Sequence, residues 1–148
     1  MSTLGDLISK DLVEAMKARD EAKVSTLRLL SAAFHNKQIE LGHELSHEEE
    51  LDVVAKAAKQ RRESIDAYKK GGRDDLAAKE QAELDFLTAY LPQQLGEEET
   101  AKIVDEVIGE LGASGTDDFG KVIGEVMKRV RGKADGSVVS RMVRDKLA

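Results

Sequence analysis

Apolar residues recur every three or four positions along almost the whole chain, and this spacing constrains the fold more than any other feature. Leu4, Ile8 and Leu12 begin the pattern near the N-terminus. Residues at such spacing share one face of an α-helix, so the pattern predicts amphipathic helices rather than strands. The 148 residues include one proline and no cysteine, which leaves long helices uninterrupted and excludes disulfide and thiolate chemistry. The sequence therefore predicts an all-α protein.

The single proline, Pro92, lies in the segment YLPQQLGEEE and divides the helical pattern. Proline disfavours a helical conformation at Leu91, whereas the glutamates at 97–99 suit the positive N-terminus of a new helix. We predict an N-terminal unit of about four helices over residues 1–94, joined by a short proline hinge to a small three-helix unit over residues 95–148. A core as small as the second one is marginal alone, so packing should stabilise it unless it is a loosely tethered module.

The N-terminus MSTLGDLISKDLVEAMKARD lacks the basic region and the continuous apolar run of a signal peptide. No segment approaches the roughly 20 apolar residues that a membrane-spanning helix needs. We therefore predict a cytoplasmic protein without membrane attachment.

The segment HELSH, residues 43–47, matches the zinc-hydrolase pattern H-E-x-x-H. That chemistry needs both histidines on one face of a helix, with the glutamate acting as a general base. However, Ser46 and Glu49 form a capping-box pattern that starts a helix inside the motif, so the two imidazoles would not share a face. We predict a polar loop here and no metal site.

The segment GTDDFGKV, residues 115–122, imitates a nucleotide-binding phosphate loop. Val122 stands where a hydroxyl must hold magnesium, and Asp117 and Asp118 would repel phosphates. We interpret the segment instead as a helix start, with Thr116 as the N-cap.

Gly120 and Gly124 are four residues apart and so lie on one side of a helix, a spacing that predicts close packing against another helix. No Ser/His/Asp arrangement or pair of catalytic carboxylates stands out anywhere in the sequence. We therefore predict no catalytic residue and no cofactor.

Charge is distributed unevenly. The first 120 residues contain fifteen Lys/Arg against twenty-six Asp/Glu, whereas from Lys121 onward eight Lys/Arg face three acidic residues. A second basic cluster lies in the third predicted helix. The candidate nucleic-acid-binding residues are Lys121, Lys128, Arg129, Arg131, Lys133, Arg141 and Arg144, and the secondary basic patch comprises Lys59, Arg61 and Arg62.

Two separate cationic patches on an acidic protein suit a polyanion such as RNA. With no tryptophan and few aromatic residues, stacking on single-stranded bases fits poorly, and recognition of a folded RNA through its backbone and shape fits better. The alternative is structural: Lys and Arg favour helix C-termini, and the rest could be solvated faces or could contact the acidic half of the protein.

Two long segments carry a family resemblance: KQRRESIDAYKKGGRDDLAAKEQAELDFLTAYLPQQL and FGKVIGEVMKRVRGKADGSVVSRMVRDKL. They resemble the YqeY family, which is similar to the tail domain of the B subunit of the glutamine-dependent aspartyl/glutamyl-tRNA amidotransferase. The resemblance covers nearly the whole chain and implies two helical units. It also implies a connection to tRNA through the small C-terminal part, which by position points to Lys121, Lys128, Arg129, Lys133, Arg141 and Arg144.

The amidotransferase's chemistry does not carry over, because neither its kinase-like catalytic domain nor its amidase partner is in this sequence. Three functions stay open at this point. The first is a non-catalytic, tRNA-associated accessory protein. The second is a protein-interaction adaptor, and the third is a component of a glutamine-dependent amidotransferase (carbon–nitrogen ligase) assembly.

Overall fold

A computed structural model describes residues 3–148, which form seven α-helices, one 3₁₀ turn and no strand. The all-α prediction is therefore confirmed. The helices are α1 Leu4–Lys17, α2 Glu21–Leu41, α3 His47–Lys70, α4 Asp74–Thr88, α5 Glu97–Leu111, α6 Phe119–Val130 and α7 Gly136–Leu147, with the 3₁₀ turn at Thr116–Asp118. None of these helices combines the length and apolar composition that crossing a membrane requires.

The helices form two compact units, Met1–Leu91 and Pro92–Ala148. We call them the N-terminal and C-terminal units. The division falls just before the proline, and the residues after it bond within the C-terminal unit. Gln94 donates a side-chain hydrogen bond to the Gly132 carbonyl at 2.7 Å, and the Leu95 N–H donates to the Lys133 carbonyl at 2.8 Å. The hinge itself stays a prediction.

Apolar side chains from α1 to α4 make the core of the N-terminal unit. One buried cluster joins Ile8, Leu27, Leu30, Phe34, Val53, Val54 and Leu87, and a second joins Ala58, Ile65, Ala77 and Leu84. Burying a side chain of Val or Leu size stabilises a fold by about 1.5–3 kcal/mol. These clusters explain why the regular apolar spacing folds into packed helices.

Two polar contacts tie distant parts of the N-terminal unit together. The carboxylate of Glu50, 5% exposed on α3, accepts the N–H of Gly5 at 2.8 Å and so satisfies a free donor in the first turn of α1. The Tyr90 hydroxyl donates to Asp11 at 2.6 Å. Burial, followed by the contact with Asp11, raises the pKa of Tyr90, so the phenol stays protonated and remains a donor.

The core of the C-terminal unit consists almost entirely of valines. Val122, Val126 and Val130 repeat every fourth residue on α6, and together with Val104, Val107, Val139, Val143 and Leu147 they form one buried cluster. This repeat fixes which face of α6 is buried, and therefore which face is left for solvent.

Candidate nucleic-acid interface

Two lysines and two glycines are exposed on the same side of α6. Lys121 and Lys128 are exposed, as are Gly120 and Gly124. A Cβ atom added to either glycine would meet no neighbouring atom within 4 Å, so the helix backbone between the lysines is bare. We call Gly120, Lys121, Gly124 and Lys128 the α6 basic face.

The prediction that Gly120 and Gly124 allow close helix packing is wrong within residues 3–148, because no other helix lies against them. The glycines face solvent because the valine stripe occupies the opposite side of α6. A helix-interior glycine with no packing role lowers helix stability by about 1 kcal/mol relative to alanine. Gly124 lies in the helix interior, so the fold gives no reason for it, whereas Gly120 is the second residue of α6.

Two further predicted cations are not paired with a carboxylate. The guanidinium of Arg144, on α7, lies 5.6 Å from the ring centroid of Phe119, the first residue of α6. Such a cation–π contact holds the charge in place while leaving its N–H groups available. Lys133 follows α6 and is half-buried. Among the described residues, neither of these side chains forms an ion pair with Asp or Glu, and the same holds for Lys121 and Lys128.

Carboxylates engage several other cations of the C-terminal unit. Arg129 forms ion pairs with Glu110 of α5 and, at 3.3 Å, with Glu125. The hydrogen bond with Glu110 is the main reason that the pKa of Arg129 is raised and that of Glu110 is lowered. Arg141 pairs with Glu97 of α5 at 3.3 Å. These two predicted residues therefore face the acidic helix α5 instead of joining the α6 basic face.

Arg131, exposed at the end of α6, also interacts with a neighbour, so we do not count it in the open surface. A similar neutralisation connects α5 and α7 through Lys146 and Asp105. Exposed ion pairs of this kind contribute little stability, typically about 0–1 kcal/mol. Their consequence here is electrostatic, because they remove positive charge from the surface that faces α5.

The secondary basic patch on α3 does not form a common exposed face. The Arg61 side chain is 20% exposed, and its Nε lies 3.5 Å from Glu80 and 3.1 Å from Glu83, both on α4. Lys59 has a partner of its own, and Arg62 is half-buried. Arg61 therefore belongs to the contact between α3 and α4.

Glu80 is the electrostatically unfavourable member of that contact. Burial raises its pKa, the neighbouring charge of Glu83 raises it further, and Arg61 lowers it. The buried Arg61 Nε and Glu80 Oε2 atoms have no hydrogen-bond partner, so the attraction between them is an ion pair without good hydrogen-bond geometry. The attraction of Arg61 does not fully offset the cost of burying the Glu80 carboxylate.

The HELSH segment folds as a helix start, and its predicted capping box is confirmed. Ser46 Oγ accepts the Glu49 N–H at 3.2 Å, and the Glu49 carboxylate accepts the Ser46 N–H at 2.9 Å. That second bond is the main reason that the pKa of Glu49 is lowered. His43 stands in the preceding loop and His47 begins α3. Across residues 3–148, no three His, Cys, Asp or Glu side chains form a group that could hold a metal ion.

The prediction of Thr116 as an N-cap is wrong. Thr116 begins a 3₁₀ turn, and α6 starts only at Phe119. The carboxylate of Asp118 accepts the N–H of Ser114 at 3.2 Å, so it bonds backward to the loop and caps no donor of α6. The residues that the sequence analysis assigns to the start of α6 form this 3₁₀ turn instead.

Sequence reasoning also missed one part of the interface, the contact between Phe119 and Arg144. These residues are far apart in sequence and meet only because α6 and α7 pack together. No local pattern could have indicated it.

The fold and surface define an all-α protein of two units whose C-terminal unit presents an open basic helix face. Residues 5–147 match the family described as "Yqey-like protein". The chain therefore belongs to the YqeY family, which confirms the resemblance carried by its two long segments.

The chain is similar to "Altered inheritance of mitochondria protein 41, mitochondrial" from several fungi. The Eremothecium gossypii protein is 44% identical over 85 residues, which is 57% of this chain and 46% of the relative. The Saccharomyces cerevisiae S288c protein is 40% identical over 88 residues, covering 59% and 48%. The Vanderwaltozyma polyspora protein is 38% identical over 85 residues, covering 57% and 46%. The matched part of the chain thus spans about half the length of these curated relatives.

Proposed function

We propose that this protein is a non-catalytic, tRNA-associated accessory protein whose α6 basic face contacts the backbone of a folded RNA. One observation carries the proposal. Lys121 and Lys128 are exposed and unpaired on either side of a bare glycine surface, whereas Arg129 and Arg141 are engaged by carboxylates.

The chemistry of this face suits phosphate. Lysine acts as a compact, mobile point charge toward phosphate oxygens. A helix surface without side chains allows another backbone to approach closely. Arg144, held over Phe119, adds a donor from the neighbouring helix. Contacts of this kind recognise backbone geometry rather than sequence.

The number of open cations sets the expected salt dependence. Lys121, Lys128, Lys133 and Arg144 would make about four phosphate contacts, which corresponds to a roughly 100-fold loss of affinity between 50 and 200 mM salt. Seven contacts, as predicted from the sequence, would make the loss clearly steeper. The salt slope therefore reports how many cations take part.

The direct test is a mobility-shift titration with folded tRNA at two salt concentrations. We expect Lys121→Glu with Lys128→Glu to abolish binding at moderate salt. The matched control is Lys102→Glu with Lys79→Glu, which changes the net charge equally at exposed lysines on α5 and α4, and we expect it to retain most of the affinity. Absence of binding by the unaltered protein at low salt would reject the proposal.

The compartment in which this occurs stays a prediction. The sequence favours the cytoplasm, whereas the fungal relatives are named as mitochondrial proteins. Immunodetection of the native protein in separated cell fractions distinguishes the two.

A further inference from the structure

A surface groove lies in the N-terminal unit, where α1 turns into α2. It has a volume of about 660 Å³. Its apolar lining includes Met16, Val24 and Leu29, of which Met16 is 49% and Leu29 56% exposed. Neither side chain contributes its full burial energy to the fold. An apolar concave surface of this kind is typical of a binding site.

Charged side chains border the groove. Arg19 and Arg28 line it together with one acidic residue, Glu21. Among the described residues, neither arginine side chain forms a hydrogen bond, an ion pair or a ring contact. Most of the other arginines of the chain contact an acidic or aromatic side chain, so these two are available to an external anion.

Arg19 is also the one non-glycine residue in residues 3–148 with a positive φ, 56°. It occupies the position after a helix end where the backbone turns left-handed. Its N–H donates to the Met16 carbonyl at 3.2 Å, and the Asp20 N–H donates to the Ala15 carbonyl at 3.0 Å. This pair of bonds defines a Schellman motif.

Two other helices end in the same way, and both use glycine. Gly72 after α3 and Gly112 after α5 have φ values of 71° and 61° and make the equivalent pairs of bonds. A side chain in this conformation costs about 1–2 kcal/mol, which glycine avoids. The chain therefore accepts strain at the one such position that borders the groove, and the arginine placed there forms no side-chain hydrogen bond or ion pair among the described residues.

We infer that this groove is a docking site for an acidic amphipathic helix of a partner protein. Apolar side chains of the partner, spaced three or four residues apart, fill the space above Met16, Val24 and Leu29. Carboxylates beside them pair with Arg19 and Arg28. This is the helix-in-groove mode of recognition, with charge complementarity selecting the partner.

The lining distinguishes this site from the RNA surface. Arg19, Arg28 and Ser25 can donate to an anion, but Met16, Val24 and Leu29 give the groove an apolar surface that the α6 basic face lacks, and the groove has no aromatic side chain on which a base could stack. The two surfaces belong to different units, so the docking site does not depend on the tRNA proposal.

The test starts from a phage library of random peptides about four helical turns long, selected against the full chain. We expect the selected peptides to combine helically spaced apolar residues with Asp or Glu. Binding of the best peptide is then measured by fluorescence anisotropy. We expect Leu29→Ala to weaken it about tenfold. Ile39→Ala, at another exposed apolar residue of α2 that lies outside the groove, should leave it unchanged.

A double-mutant cycle tests the charge pairing. Replacing the peptide's carboxylates by amides should weaken binding to the unaltered protein about tenfold, and to Arg28→Ala much less. Selected peptides without acidic residues, or equal effects of Leu29→Ala and Ile39→Ala, overturn the inference. So does the failure of any peptide to be enriched. Concentration-dependent dimerisation abolished by Leu29→Ala would identify a second copy as the occupant instead, and competition by tRNA would identify RNA.

Discussion

Replacing Gly124 by alanine should make the protein more stable. Gly124 lies in the interior of α6, does not have a positive φ, and an added Cβ would meet no atom within 4 Å. The substitution therefore introduces neither backbone strain nor a clash, and it gains the full difference in helix propensity, about 0.8–1 kcal/mol. Urea unfolding followed by circular dichroism measures this change, and a destabilised variant would show that α6 packs differently.

The same position should respond in the opposite way when RNA binding is measured. A leucine at Gly124 is still a better helix former than glycine, but its side chain would stand between Lys121 and Lys128. We expect Gly124→Leu to weaken tRNA binding about tenfold, equivalent to 1.4 kcal/mol, while stability rises.

Gly109 on α5 provides the matched control. It is also exposed, helical and free of neighbours within 4 Å, but the preceding turn carries Asp105 and Glu106 instead of lysines. Gly109→Leu should stabilise the protein about as much and leave RNA affinity unchanged. Equal affinities for the two leucine variants would refute the reasoning that the bare surface of α6 is where RNA approaches.

Three further predictions concern the N-terminal unit. Arg19→Gly should raise the free energy of unfolding by about 0.5–1 kcal/mol, because relief of the left-handed strain exceeds the entropic cost of glycine, and a lower urea midpoint would contradict this. Tyr90→Phe should cost about 0.5–1.5 kcal/mol by removing the hydrogen bond to Asp11, as measured by the same unfolding assay. Because the pKa of Glu80 is raised in the fold, its contribution to stability is present below its unfolded pKa of about 4.5 and is lost as pH rises through the folded value. Glu80→Gln should therefore flatten the decline in thermal stability above that pH, and an unchanged profile would exclude Glu80 as its source.

Helix positions were predictable because apolar spacing and capping patterns act locally. The glutamates at 97–99 and the Ser46 cap mark helix starts that the structure reproduces. The Thr116 cap failed for an equally local reason: a 3₁₀ turn and an α-helix start with the same residue types. The left-handed Arg19 was not predictable, because a sequence rule expects glycine at that position.

For the candidate interface, the sequence predicts only a set of basic residues from which the binding residues are drawn. The sequence indicates that the C-terminal segment is basic, but it does not indicate which of the basic side chains form ion pairs with acidic neighbours. That depends on how helices pack, as with the pairing of Arg129 to Glu110 on another helix. The exposed lysines are an exception, since the valine repeat of α6 already places Lys121 and Lys128 on the face opposite the core.

The acidic side chains of helix α5 therefore determine which cations of α6 and α7 are neutralised. Its carboxylates at Glu97, Asp105 and Glu110 engage cations of α6 and α7, and they leave the lysines of the α6 basic face unpaired. At physiological ionic strength the Debye length is about 8 Å, so a phosphate at this face responds mainly to charges within that range. Glu125, the one acidic side chain within α6, is already engaged by Arg129. A chain with a net charge of −6 can thus present a locally positive surface, and for the proposed RNA binding the order of charges around α6 matters more than their sum.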